Sequence, residues 1–162
     1  MGLWIYKNNT ENPNGAYGEW AEFFELAKKS RSGKQRWGGP DVTEQPAAKK
    51  LAESMQVGQR VLCWQRWTGS RDTFMRPPPP GVKAAAVGII EFAGLTRQGR
   101  WLFTTREQFS DPVPLTDWSK SEPVIEKIFS FPRRMGTLIE LTSVEEKEVL
   151  RICSKQLGKR VG

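Results

Sequence analysis

The sequence predicts an α+β domain, five or six short strands in a small mixed barrel with two or three helices packed on it. Three observations carry this. Short apolar runs bounded by turn residues recur at 3–7, 60–67, 83–95, 101–106 and 135–141, the pattern of buried strands. Apolar residues fall at helical spacing in 17–29, 43–55 and 143–157, as in helices that bury one face. The order of these segments is mixed and 83–106 reads as a hairpin, which argues against a doubly wound parallel sheet.

Residues 3–7 are the first strand, followed by turn chemistry rich in Asn, Pro and Gly at 8–15. In the helix at 17–29, Trp20, Phe23, Phe24 and Ala27 fall at i, i+3, i+4 and i+7, and Lys28 and Lys29 suit its C-terminal end. Residues 30–40 are polar, Gly-rich and basic, too irregular for a regular element. The lone Trp37 there either plugs the core or faces a ligand. In the helix at 43–55, Thr43 caps, Pro46 occupies the first turn, and Ala48, Leu51, Ala52 and Met55 make the buried stripe. Along the strand 60–67, Leu62 and Trp64 share one face, and Val61, Cys63, Gln65 and Trp67 the other.

Residues 68–83 hold Arg71, Arg76 and the prolines 77–80, a stiff extended loop. Gly88, inside the strand 83–95, marks a bulge or a close backbone approach. A basic turn, 96–100, leads to the strand 101–106. Pro112 and Pro114 make 109–115 a separate edge strand. A short helix at 121–129 has Pro123 in its first turn, and 135–141 is the last strand. Ser143-Val144-Glu145-Glu146 is a capping box opening a helix to Leu157, and the basic tail 158–162 is expected to fray. One domain spans 1–162, without repeats.

Composition narrows the chemistry. With 162 residues, 38% hydrophobic and 27% charged, the chain reads as soluble and globular. It lacks an apolar run of about 18 residues, so no membrane partner is expected. The start shows no signal peptide, and Cys63 and Cys153 lie in apolar runs, as buried thiols of a cytoplasmic protein would. Histidine is absent, which removes His bases, Ser–His and Cys–His nucleophiles and His metal ligands. Two distant cysteines make no zinc site, so neither metal nor cofactor is expected. The net charge of +7 is uneven: residues 55–110 carry eight Lys/Arg against three Asp/Glu, while each flank is only +1. Such a surplus points to nucleic acid as partner.

Met55-Gln56-Val57-Gly58-Gln59-Arg60-Val61, an aromatic strand, and Val87-Gly88-Ile89-Ile90-Glu91 together resemble the EVE domain of the PUA-like superfamily, a relative of YTH and ASCH domains. Leu3-Trp4-Ile5-Tyr6-Lys7, Arg36-Trp37-Gly38-Gly39, 109–115, and Arg134-Met135-Gly136-Thr137-Leu138 before 143–146 resemble further family segments in the same order. The resemblance implies a PUA-like mixed β pseudobarrel that binds a modified nucleobase in DNA or RNA without catalysis, with an aromatic from the Trp37 region in the pocket. It also implies an association with restriction-type defence, through fusion to, or action beside, an effector nuclease or NTPase. Two family segments differ here. Gly39-Pro40-Asp41-Val42 stands for Gly-Val-Arg-Asn, and Trp64-Gln65-Arg66 for Tyr-His-Ser, which leaves base preference open.

A flipped base needs aromatic faces and polar groups for its pairing edge. Trp37, Trp64 and Trp67 supply the faces, and Gln65, Asn8 and Asn9 the amides. Gly38 and Gly39 allow close backbone approach. We therefore expect one base-sized cavity walled by Trp37 and at least one of Trp64 and Trp67. Candidates for phosphate contact are Arg31, Lys34, Arg36, Arg66, Arg71, Arg76, Lys83, Arg97, Arg100, Arg133 and Arg134. Two other classes compete. An ASCH-like hydrolase would rest on Glu91 and Lys83; a protein-interaction module would use prolines 77–80 or an exposed aromatic patch. Leu62 or Val61, Ile89 and Leu138 are expected in one core.

Overall fold

The computed structural model describes residues 2–9, 19–37, 53–68, 74–114, 123–129 and 138–162, and of Asn9 the backbone alone. The strands among them are β1 (Leu3–Asn9), β2 (Lys34–Arg36), β3 (Arg60–Arg66), β4 (Ala84–Leu95), β5 (Trp101–Val113) and β6 (Leu138–Glu140). They form one sheet in the order β2-β5-β4-β3-β1-β6. The central β1–β3 pair is parallel and the other pairs are antiparallel. The described helices are α1 (Trp20–Lys29), α2 (Pro123–Ile128) and α3 (Ser143–Leu157). None is long and apolar enough to cross a membrane. The predicted helix at 43–55 lies outside the described residues, apart from its last three; Met55 is buried.

Helices cover both faces of the sheet, so strand alternation sorts side chains into two cores. On one face Leu3, Ile5, Leu62, Trp64, Ile89 and Phe109 pack with Ile125 and Ile128 of α2 and Val149 and Ile152 of α3. On the other, Trp4, Tyr6, Val61, Cys63, Ile90 and Phe103 pack with Trp20, Phe23, Phe24 and Ala27 of α1. The division along β3 is the one its alternation predicts. The single shared core is not found: Leu62 and Ile89 belong to the first cluster, Val61 and Leu138 to the second. Register decides this, because Leu138 lies opposite Tyr6 and Ile139 opposite Ile5.

Four local expectations change. Lys34–Arg36, expected to be irregular, pairs with Leu102–Thr104 as a short charged edge strand, too brief to show periodicity. β5 continues through 109–113 as one strand of 13 residues, with register shifts against β4 at Ala86/Gly88, Ile89/Ile90 and Phe92/Gly94. Such bulges bend a strand without ending it. Thr142 caps α3: its hydroxyl accepts from the Glu145 N–H at 3.2 Å, and the Glu145 carboxylate accepts from the Thr142 N–H at 3.0 Å. The box is thus one residue earlier than predicted, and Glu146 pairs with Arg60 instead. The tail is held rather than frayed. Gly158 closes α3 in the left-handed region, Val161 is buried, its N–H donates to Ser154 Oγ at 2.9 Å, and Arg60 Nη1 donates to the Gly162 carbonyl at 3.0 Å.

Gly88 seats α1. A Cβ there would stand 2.5 Å from Phe24 Cζ and 2.6 Å from the Glu107 carbonyl oxygen. Of the two expectations for Gly88, both are met: a register shift against β5 lies at Ala86/Gly88, and the backbone approach is close, with one of the two obstacles backbone, which no rotamer change relieves. Gly88→Ala is expected to destabilise the fold by about 1–3 kcal/mol, the range for overpacking, in urea unfolding. A variant as stable as the parent would show that α1 does not rest on β4 in this way.

Candidate base-binding site

The site is built where β1 and β3 end side by side. Asn8 and Gln65 are register partners there, and both are buried. Buried amides need partners, and those of Gln65 fix α1. Its Oε1 accepts from the Trp20 backbone N–H at 2.9 Å, and its Nε2 donates to the Arg66 carbonyl at 3.2 Å. The Trp20 indole donates to the Trp64 carbonyl at 3.1 Å. α1 has no side-chain cap from its own N-cap residue, so Gln65 supplies an acceptor for one of its unpaired first-turn amides. The Glu19 carboxylate accepts from the N–H groups of Met75 and Arg76 at 2.7 and 3.3 Å, and Arg76 Nη2 donates to the Ser110 carbonyl at 2.9 Å. Residues 75 and 76 are thereby tied between α1 and β5.

Inside this frame lies a cavity of about 30 Å³, lined by Glu19, Trp20, Ala21, Phe24, Gln65, Trp67, Arg76, Val87, Gln108, Phe109 and Pro112. It has room for about two waters, and Trp37 is not among its lining residues. Trp67 is 9% exposed, and its buried indole N–H has no hydrogen-bond partner among the described residues.

The tryptophans do not share one wall. Trp64 belongs to the opposite face, its ring 4.9 Å from that of Phe129. It precedes Gln65 by one, so alternation sends it to the other side, whereas Trp67 follows by two and shares the side of Gln65. Trp37 is half-buried. It stacks on Trp20 at 5.2 Å and 28°, meets Phe23 edge-on at 5.7 Å, and donates its backbone N–H to the Trp101 carbonyl at 3.2 Å. Trp20 connects the set, stacking on Trp37 and lining the cavity with Trp67. Sequence reasoning placed Trp20 in the core and missed this second role, together with Glu19 and Gln108. The available signal was an uncapped helix start in need of an acceptor.

The cations divide. Arg66, Arg76 and Lys83 are exposed at the cavity end of the sheet. Arg97 and Arg100 are exposed in the turn at the far end of β4, a strand of twelve residues that spans roughly 30–40 Å. Arg31, Lys34 and Arg36 are exposed on the α1–β2 turn and β2. Asn9 lies opposite Arg66. Gly38, Gly39, Arg71, Arg133 and Arg134 fall outside the described residues. Glu91 pairs with Arg106 at 3.3 Å. It lies eight residues along the chain from Lys83, roughly 25 Å in extended strand, so the two hydrolase candidates do not meet. Burial pushes the Cys63 thiol well up, and burial with the Glu107 charge takes Cys153 up to about 12; neither is a ready nucleophile at neutral pH. No group of three His, Cys, Asp or Glu that could hold a metal occurs among the described residues.

No protein-family model matches the chain. No curated protein sequence matches it either. Solved structures do. A crystal structure of an Agrobacterium tumefaciens protein is 17% identical, covering 100% of this chain and 97% of its own, with a TM-score of 0.62. Human THYN1, in complex with DNA containing 5-methylcytosine, is 11% identical over 94% of this chain and 97% of its own, TM-score 0.63. The DUF55 domain of human thymocyte nuclear protein 1 is 12% identical over 93% and 97%, TM-score 0.61. This is the EVE, or DUF55, fold. The EVE likeness spans nearly the whole chain, and the six-stranded mixed sheet with its helices is the PUA-like pseudobarrel the sequence implied.

Lys7 is an unforeseen feature beside the site. It lies opposite Trp64 in register, with Nζ 5.7 Å from the Phe129 ring centre, and burial lowers its pKa from the ordinary 10.5 to about 8. Below about 8 it is protonated folded and unfolded, and the native state carries the full desolvation penalty. Between about 8 and 10.5 only the unfolded chain keeps the proton, so stability rises with pH there. Lys7→Met is expected to abolish this rise and to be the more stable protein at pH 7, in unfolding curves recorded from pH 7 to 10.5. Parallel pH profiles for variant and parent would show that Lys7 is not desolvated.

Proposed function

We propose that this chain binds nucleic acid carrying a modified base, which it holds against Trp20, Trp37 and Trp67 without catalysing a reaction on it. The carrying observation is Trp67: a buried donor without a partner among the described residues lines a cavity with the amides of Gln65 and Gln108 and the rings of Trp20, Phe24 and Phe109. Aromatic faces with a few fixed polar groups are what a base extruded from its stack requires. The net charge of +7 and the surplus at 55–110 suit a phosphate-bearing partner. A protein of the same fold is known in complex with 5-methylcytosine DNA. A base needs more space than 30 Å³. Arg76, which lines the cavity, and its neighbour Met75 are held by exposed hydrogen bonds, and such bonds contribute only about 1 kcal/mol each. Entry of the base displaces this segment. The separation of Glu91 from Lys83 favours a reader over a hydrolase, and a reader of this kind acts beside an effector nuclease or NTPase.

Trp67→Phe tests the site, because it keeps an aromatic ring and deletes the N–H. Affinity for a 5-methylcytosine oligonucleotide is expected to fall about 2- to 10-fold, the worth of one hydrogen bond. Thermal stability should hold, since the deleted donor has no partner among the described residues. An equal fall for methylated and unmethylated strands would remove Trp67 from base recognition. Affinity is also expected to fall steeply with salt; a flat response in titrations from 50 to about 200 mM salt would exclude the nucleic-acid reading.

A further inference from the structure

A second recess, of about 370 Å³, opens between the C-terminal half of α1 and β5, lined by Phe24, Lys28, Ser32, Thr104, Thr105 and Gln108 among others. No motif of the sequence singles out this place. Unlike the small cavity, it falls within the size range of ligand sites, about 300–1,000 Å³. Its chemistry is specific in kind. Phe24 and Ala27 supply apolar surface, Ser32, Thr104 and Thr105 hydroxyls, Gln108 an amide and Lys28 an ammonium, and no carboxylate among the described residues lines it.

One rim residue, Lys28, is a cation, and the chain around it is basic. Residues 28–36 contain Lys28, Lys29, Arg31, Lys34 and Arg36 and no acid. The last four make no ion pair among the described residues, and Lys28 has only an exposed contact with Glu25 at 3.3 Å, of the kind that contributes little. A ligand that suits apolar surface, hydroxyls, an amide and a cation at the rim together is a nucleotide: a base and sugar bearing phosphate.

The recess also adjoins the small cavity, because Phe24 and Gln108 line both. We infer that this recess binds a nucleotide unit, the one beside the recognised base in a bound strand. The placement beside a recognised base rests on the reading proposed above; the recess and its nucleotide chemistry stand without it. A free mononucleotide has the same chemistry, and the test separates the two sources.

The full chain, labelled with nitrogen-15, is titrated with 5′-dCMP and with short single strands containing one 5-methylcytosine or none. Saturable shifts are expected at the amides of Ser32, Gly33, Thr104 and Thr105. The double variant Lys28→Ala, Thr105→Glu removes a cation and adds a carboxylate on exposed or rim positions. It is expected to weaken strand binding about tenfold and to lower the salt slope by about 0.7, the share of one neutralised phosphate on a single strand. Binding of 5-methyl-deoxycytidine, which has no phosphate, should be unchanged. Recess shifts with 5′-dCMP alone would assign a free nucleotide. Recess shifts without preference for the methylated strand would end the modified-base reading and leave the nucleotide site. Absence of saturable shifts at these amides with every ligand, or strand binding untouched by the double variant, would overturn the inference.

Discussion

The missing side chain at Gly88 is the constraint on which the α1 face depends. Because no Cβ stands there, Phe24 descends onto β4 against the Glu107 carbonyl, and α1 lies close enough to bury Trp20, Phe23, Phe24 and Ala27. Phe24 then divides the space beside it. The small cavity lies toward the N-terminal turn of α1, the larger recess toward its C-terminal end, and Phe24 lines both. A methyl group at 88 would act on the core and on both candidate sites together.

The polar end of the sheet is ordered by satisfaction of buried groups. Gln65 is nearly inaccessible, so its amide must be bonded, and the bond to the Trp20 N–H ties β3 to the start of α1. Trp67, two residues on, keeps a buried N–H without such a partner among the described residues. One amide is thus committed to structure. An unsatisfied buried donor is destabilising in the free protein, and proteins concentrate such departures at functional sites.

Charge follows topology rather than sequence proximity. The surplus at 55–110 looks like one basic lip in the chain, yet β4 carries Lys83 to one end of the sheet and Arg97 and Arg100 to the other. Of the cations of 28–36, Lys28 lines the larger recess, while Lys29, Arg31, Lys34 and Arg36 are exposed along the α1–β2 segment. A strand that touched both the cavity end and this rim would cross α1 and β5, over Phe24 and Gln108.

The sequence by itself determined the fold class, the first strand, the alternation of β3, a helix ending at Lys29, a special role for Gly88 and the basic character of the chain. These are local properties: period, turn chemistry and composition are all legible within about ten residues. It nominated Gln65, Trp67 and Trp37 by residue type and grouped them with Trp64, which lies on the other face of the sheet. Tertiary structure decided that Trp64 lies across the sheet from Gln65 and Trp67, that Trp20 lines the small cavity, that β2 exists and that β5 continues past its expected break. The reason is physical. Alternation says that two side chains point to opposite sides but not what covers each side, and the contact that builds this site joins residues 45 apart in the chain. Register across strands, not spacing along them, brought those groups together.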